Sequence, residues 1–432
     1  MAESLRIIGV PGASAGRPRA VHGPVTGPAN RERSLGAGSR ARAGSGVHLP
    51  IALTLLGGLI GVGACRGSTD PAENPQWMTL AANESYTCGL TVTGEAFCWG
   101  WVVGYYDPQP IKDSLIPRSA VPLRVPGEHR FTDISVGALS ICALDTDRRA
   151  FCWGANQLGE VGDDSYIAKR SPSAVAGNLR WRTISAGGAH TCGVTTENQG
   201  YCWGNQFRGA LGNGELFGAT PHPVAVGGNL AFSSVGAGAG TSCGVTSEGD
   251  AYCWGRNDYG ILGDGQPPEA GPETATPSRV VGGLRFTTLA AGYYNVCGIT
   301  EDARAYCWGY GGVLGNGSTA ASSSPVPVSG ELRWVFLSAG AGHTCGLTTE
   351  GAAYCWGSNE HGELGTGDTA SALVPRLVAP PGTYVAITAG GNHTCARTAA
   401  GTAFCWGQGN YGQLGDGMFE DRSRPVQVAP GH

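Results

Sequence analysis

The sequence carries little charge: Asp, Glu, Lys and Arg make up only 14% of its 432 residues, well below the roughly one quarter of an ordinary domain. It also has no apolar segment of membrane-spanning length. The apolar run from Leu49 to Ala64 is 16 residues and is broken by Pro50, whereas a spanning helix needs about 20. Long helices and coiled coils are excluded by 73 Gly and 26 Pro. The glycines follow no three-residue period, which excludes collagen. Disorder is a poor account of a chain that is 41% hydrophobic and has 11 Trp, 14 Tyr and 10 Phe to pack. What survives is an all-β, turn-rich fold.

The 15 cysteines are informative because fourteen of them share one spacing. They pair as Cys88 with Cys98, Cys142 with Cys152, Cys192 with Cys202, Cys243 with Cys253, Cys297 with Cys307, Cys345 with Cys355 and Cys395 with Cys405. Cys88 and Cys98 are symmetric about Thr93, so in a hairpin with a three-residue tip they face each other across two strands. Opposed residues in antiparallel strands lie about 4.5–5.5 Å apart at Cα, within disulfide range. Zinc is the rival explanation of paired cysteines, but nine intervening residues is not its usual spacing. Structural disulfides and an oxidising compartment are therefore expected.

Cys65 is left over, and its surroundings suggest why. Residues 1–46 hold seven Arg among Gly, Ala, Pro and Ser, with no apolar periodicity. The run that follows fits the apolar region of a signal peptide and ends Val62-Gly63-Ala64-Cys65. Small residues before a cysteine resemble a bacterial lipobox, so Cys65 is expected to be lipidated and to become the mature N-terminus. The alternative is an ordinary secretory leader with a free Cys65, and the 46 preceding residues are long for either, which points to a later start. On this reading residues 1–64 are leader and signal peptide, 65–76 a tether, and 77–432 one domain. Without residues 1–64 the chain has 21 Lys/Arg against 31 Asp/Glu, a net charge near −10. Such a field disfavours nucleic acid and anionic membrane surfaces, leaving the lipid as the membrane contact.

The second cysteines fall at 98, 152, 202, 253, 307, 355 and 405, in steps of 54, 50, 51, 54, 48 and 50 residues. The third copy reads Trp181-Arg182-Thr183-Ile184-Ser185-Ala186-Gly187, Cys192-Gly193-Val194-Thr195, Gly200-Tyr201-Cys202-Trp203-Gly204 and Pro223-Val224-Ala225-Val226. These are four β-rich runs separated by turn residues, and repeats of about 50 residues with four strands predict a β-propeller. Each copy opens with an aromatic: Trp77, Phe131, Trp181, Phe232, Phe286, Trp334 and Tyr384. The last copy ends at Pro425-Val426-Gln427-Val428 with no further aromatic strand. A seven-bladed propeller is expected, with the N-terminal strand at Trp77 completing the last blade and closing the ring.

The sixth copy, His343-Thr344-Cys345-Gly346-Leu347, Tyr354-Cys355-Trp356-Gly357-Ser358-Asn359 and Gly362-Glu363-Leu364-Gly365, resembles the repeat of the regulator of chromosome condensation family. The resemblance recurs over about residues 77–428 and implies that family's seven-bladed propeller. Its nuclear members are guanine-nucleotide exchange factors that bind nucleosomes, a role at odds with a lipobox, paired cysteines and an acidic domain. Closer in circumstance is β-lactamase inhibitory protein II, a secreted bacterial propeller that acts by binding alone.

No catalytic constellation stands out. Gly12-Ala13-Ser14-Ala15-Gly16 matches a nucleophile elbow but lies in the leader with no strand before it. His190, His343 and His393 share one repeat position, where a turn-stabilising hydrogen bond is the expectation and a metal site the alternative. Asp264, Asp368 and Asp416 lie in glycine turns that could hold calcium, although Asp is an ordinary turn residue. No cofactor and no metal is expected. Trp99, Trp153, Trp203, Trp254, Trp308, Trp356 and Trp406 are expected to pack between blades. The informative residues are those that break the repeat in the loop after Cys-Trp-Gly: Trp101, Tyr105 and Tyr106, then Phe207 beside Arg208, Phe217, Tyr259, Tyr310, His361 with Glu363, Tyr411 and Phe419. On one face they would make an aromatic rim suited to a protein partner. The expected protein is a monomeric, exported envelope scaffold that binds a protein, with glycan binding by the same aromatics as the alternative.

Overall fold

The computed structural model describes residues 75–101, 118–267, 271–380 and 382–431. Cys65, Tyr105 and Tyr106, with the leader and most of the tether, lie outside the described residues. The described chain forms seven four-stranded antiparallel sheets, each built from consecutive strands. In the first blade these are β1 (Trp77–Asn83), β2 (Tyr86–Thr91), β3 (Ala96–Gly100) and β4 (Ser119–Arg124). The other six occupy residues 131–174, 181–225, 232–279, 286–327, 334–377 and 386–427.

One expectation needs correction. The N-terminal strand does not complete the last blade: β1 pairs with β2, and the last sheet draws all four strands from residues 386–427. The connection between β1 and β2 is two residues long, so pairing them closes almost no loop. Seven opening aromatics for seven blades also leave none missing. The ring closes by packing instead. Trp77, Leu80 and Trp99 form one core layer with Cys395, Ala403, Cys405, Leu414 and Val428 of the seventh blade. The Ala82 N–H donates to Thr388 Oγ1 at 3.1 Å, repeating the bond from Ala186 N–H to Ser135 Oγ at 2.9 Å.

The core is a series of layers between blades. Typically the disulfide of one blade faces the opening aromatic and the Cys-Trp tryptophan of the next, as Cys142 and Cys152 face Trp181 and Trp203. Every cysteine pair is opposed in register on the second and third strands of its blade. Cys192 faces Cys202 in the third blade, Cys243 faces Cys253 in the fourth and Cys297 faces Cys307 in the fifth. All seven pairs have Cα atoms 4.0–4.1 Å apart and a disulfide between them, slightly closer than the spacing expected of opposed strands. The glycine after the first cysteine has a steric reason. A Cβ on Gly346 would lie 2.7 Å from the Trp334 ring of its own blade, and one on Gly89 equally close to Trp77. Helix is confined, among the described residues, to three one-turn segments in the long loops, Phe207–Gly209, Asp258–Gly260 and Gly311–Val313.

Candidate binding face

Antiparallel strands that follow one another put the first and third connections of every blade on one side. In all seven blades the residue after Cys-Trp-Gly donates its N–H to a carbonyl in the first turn, as Trp101 does to Ser85 and Tyr310 to Tyr294, both at 2.9 Å. All the long loops therefore emerge on a single face.

These loops also clamp neighbouring blades together. The Trp406 Nε1–H and the Thr394 hydroxyl both donate to the Glu363 carbonyl in the sixth blade's loop, each at 2.8 Å. Trp99 and Thr87 do the same to Gln413, and Trp254 and Ser242 to Ala210. The acceptor is the variable residue of Gly-x-Leu-Gly, so this loop motif is a docking point for the next blade. Trp153 alone among the seven has no partner for its buried Nε1 among the described residues. The matching loop of the first blade lacks the motif and lies in residues 102–117, outside the described ones.

The shared histidines belong to the same clamp. His343 Nε2 is 2.8 Å from Thr394 Oγ1, His190 Nε2 2.9 Å from Ser242 Oγ, and His393 Nε2 2.7 Å from Thr87 Oγ1. Each hydroxyl proton is already given to a carbonyl, so the imidazole donates and carries its proton on Nε2. Nδ1 of His343 and of His393 is then buried without a donor among the described residues. Burial pushes the pKa of His190 and His343 down to about 4 and that of His393 to about 3. Among the described residues no group of three or more His, Cys, Asp or Glu is placed to hold a metal. Asp368 and Asp416, candidate calcium ligands, pair with Arg376 at 2.8 Å and Arg422 at 3.0 Å.

Most of the exposed aromatics gather in three clusters on the loop face, with Tyr166 and Phe336 outside them. Phe207 and Phe217 lie 5.9 Å apart at their ring centroids. Trp101 stacks on Tyr411 at 5.1 Å, and the Arg118 guanidinium lies 4.6 Å from the Phe419 centroid. Tyr259 meets Tyr310 at 5.2 Å and Tyr294 at 6.0 Å. Two residues expected at the rim have other roles: Glu363 is buried, where its carboxylate accepts the His361 N–H, and Arg208 is held by Asp258 and Glu273.

At the axis the ends of the seven first strands, with the first turns of blades three to seven, line a cavity of about 150 Å³. The Tyr293 hydroxyl from the fifth blade bonds to Glu84 and, at 3.3 Å, to Asn83 of the first blade, so this side chain crosses the opening. Burial and the bond to Glu84 push its pKa up. Sequence reasoning missed Glu84, Tyr293 and Tyr294, although a signal was present. The first turn position reads Glu84, Ala138, Gly188, Ala239, Tyr293, Ala341 and Gly391, so only the two residues that meet carry more than a methyl group.

Comparison with known proteins assigns the repeat. Two profiles described as "Regulator of chromosome condensation (RCC1) repeat" match this chain. One covers residues 147–194, 248–299, 302–347, 350–397 and 400–431. The other covers residues 131–160, 181–210, 232–261, 286–313, 334–363 and 384–413. The chain belongs to this family. As an RCC1-repeat protein it is 27% identical over 266 residues to the guanine nucleotide exchange factor SRM1 of Saccharomyces cerevisiae, covering 56% of this chain and 54% of that one. It is 29% identical over 250 residues to the mitochondrial RCC1 domain-containing protein RUG3 of Arabidopsis thaliana, covering 55% of each. The RCC1-repeat chain thus spans about half the length of these relatives. Among solved structures, yeast RCC1 (Prp20) bound to Kap60 superposes with a TM-score of 0.68 at 21% identity, covering 79% of this chain and 85% of that one. Human WBSCR16 does so with a TM-score of 0.67 at 21% identity, covering 78% and 94%. At such identity these structures bear on the fold alone.

Proposed function

We propose that this RCC1-repeat propeller is an exported, lipid-anchored binding protein that recognises a protein partner through its long-loop face. The observation that carries the proposal is the clustering of solvent-facing aromatics on that face: Phe207 is 56% exposed, Phe217 63%, Tyr310 45% and Trp101 44%. Aromatic and arginine side chains dominate protein recognition because they desolvate a large area at low entropic cost. Export is supported by seven fully buried disulfides, which persist in oxidising compartments, and anchoring by the lipobox-like residues before Cys65. A guanine-nucleotide exchange role, as the name of SRM1 carries, is outside this proposal, and nucleotide release from a small GTPase is expected to be unchanged.

The test is affinity capture with the oxidised full-length chain against envelope proteins and secreted hydrolases, β-lactamases included. A parallel bait carries Trp101→Ala, Phe207→Ala and Phe217→Ala. A partner captured by the first bait and lost by the second supports the reading. A folded bait that captures nothing specific, or a partner indifferent to the three substitutions, refutes it. Palmitate labelling that is abolished by Cys65→Ser would support the anchor, and labelling of neither chain would remove it.

A further inference from the structure

The third aromatic cluster has a geometry that the other two lack. Tyr259, Tyr294 and Tyr310 come from three different connections, in the fourth and fifth blades, and line a cavity of about 540 Å³. This is within the size range of small-molecule sites. Their ring centroids lie 5.2, 6.0 and 6.4 Å apart, with interplanar angles of 68°, 85° and 61°. The three rings are steeply inclined to one another, one pair close to a right angle, like walls meeting at an open corner. A pyranose stacks best on one flat ring, whereas a corner suits a compact, rounded group. Tyr259 is held there at φ 62°, a conformation that a bulky side chain rarely adopts.

Charge selects what that group is. Glu360 also lines the cavity, is exposed, and forms no ion pair among the described residues. The domain around it is acidic, near −10 from residue 65 onward. Aromatic faces carry negative potential and attract cations within about 6 Å of the centroid. The structure already uses this property: the Arg256 guanidinium lies 5.3 Å from the Tyr294 centroid, with Asp258, which it shares with Arg208, 3.2 Å from its Nε.

From these observations we infer that the cavity bounded by Tyr259, Tyr294, Tyr310 and Glu360 is an aromatic cage for a quaternary ammonium group carried by a small free solute of choline type. The trimethylammonium group is rounded, apolar at its surface and permanently charged, which matches three steeply inclined rings and one carboxylate. The same group is found on free solutes and on lipid headgroups, and the vesicle arm of the experiment below separates the two. The inference rests on the reading of this face as a binding face, but it concerns a different patch from Phe207 and Phe217.

The experiment is titration calorimetry of the full-length oxidised chain with choline and with 3,3-dimethyl-1-butanol, which has the same shape and no charge. Choline is expected to bind at least about tenfold more tightly than the neutral isostere. Tyr259→Gly should abolish binding, and because it removes a strained φ it does not endanger the fold. Glu360→Gln should weaken choline severalfold and leave the isostere unchanged. Equal binding of the two compounds would reduce the site to an apolar recess and overturn the cage, as would no binding of choline. Binding to phosphatidylcholine vesicles without binding of free choline would overturn the free-solute assignment. Partner capture that survives loss of the cage, or a cage that works in a bait with Phe207→Ala and Phe217→Ala, keeps the two readings separable.

Discussion

Replacing the three buried histidines by asparagine should make this propeller markedly less sensitive to acid. His190, His343 and His393 are held neutral at about 4, 4 and 3, whereas in the unfolded chain they titrate near the ordinary 6.5. A base whose folded pKa is depressed binds its proton first in the unfolded state. Stability is therefore intact above about 6.5 and falls as the pH drops from there towards 4. At pH 5 the loss is about 2 kcal/mol per histidine, or about 6 kcal/mol for three. Repulsion from His343 adds to the effect of burial in lowering the pKa of His393. Buried Glu160 and Glu363 act in the opposite sense, because burial raises their pKa and the folded state takes up their protons first. Both stay in place in the variants and cancel in the comparison.

The substitution is one the fold already accommodates: Asn295 holds the same position in the fifth blade and donates Nδ2–H to Thr344 Oγ1 at 3.1 Å. The assay is guanidinium unfolding of the oxidised protein at pH 7.5, 6 and 5. The wild-type midpoint should fall steeply between pH 6 and 5, and that of the triple variant, His190→Asn, His343→Asn and His393→Asn, should fall far less. Parallel curves for the two proteins, or a wild-type midpoint that does not move, would refute the reasoning.

Other consequences of the geometry can be measured in the same system. Trp203→Phe removes the indole N–H that donates to the Glu160 carbonyl at 3.0 Å, whereas Trp153→Phe removes one with no partner among the described residues. The first should cost about 1 kcal/mol more than the second in urea unfolding, and equal losses would discount the loop-carbonyl clamp. Removing one disulfide as Cys345→Ser with Cys355→Ser should cost about 3 kcal/mol. Because all fourteen of these cysteines are in disulfides and have no free thiol, iodoacetamide should label none of them in native, unreduced protein, which mass spectrometry would read directly. A double-mutant cycle of Tyr293→Phe and Glu84→Gln should give a coupling of about 1 kcal/mol across the axis, and additive losses would mean that the bond does not bind the ring together.

Blade number, strand count and the cysteine register were readable in the primary structure because they are local. A hairpin centred on Thr93 opposes Cys88 and Cys98 whatever lies beyond it, and seven copies of one pattern reinforce each other. The departure of the first blade's loop from Gly-x-Leu-Gly was visible too, and it coincides with a Trp153 Nε1 that has no partner among the described residues. Ring closure was misjudged because chain order says which strand is absent from a repeat, not which neighbour packs on it. The pairing of β1 within its own blade follows from a two-residue turn, and its contact with the seventh blade from side-chain burial alone. Folding alone decided which side chains from separate loops meet. Tyr293 and Glu84 are 209 residues apart, and Tyr259, Tyr294 and Tyr310 belong to different connections. Their meeting depends on the curvature that seven packed blades impose and on how each ring is seated, neither of which any single repeat encodes.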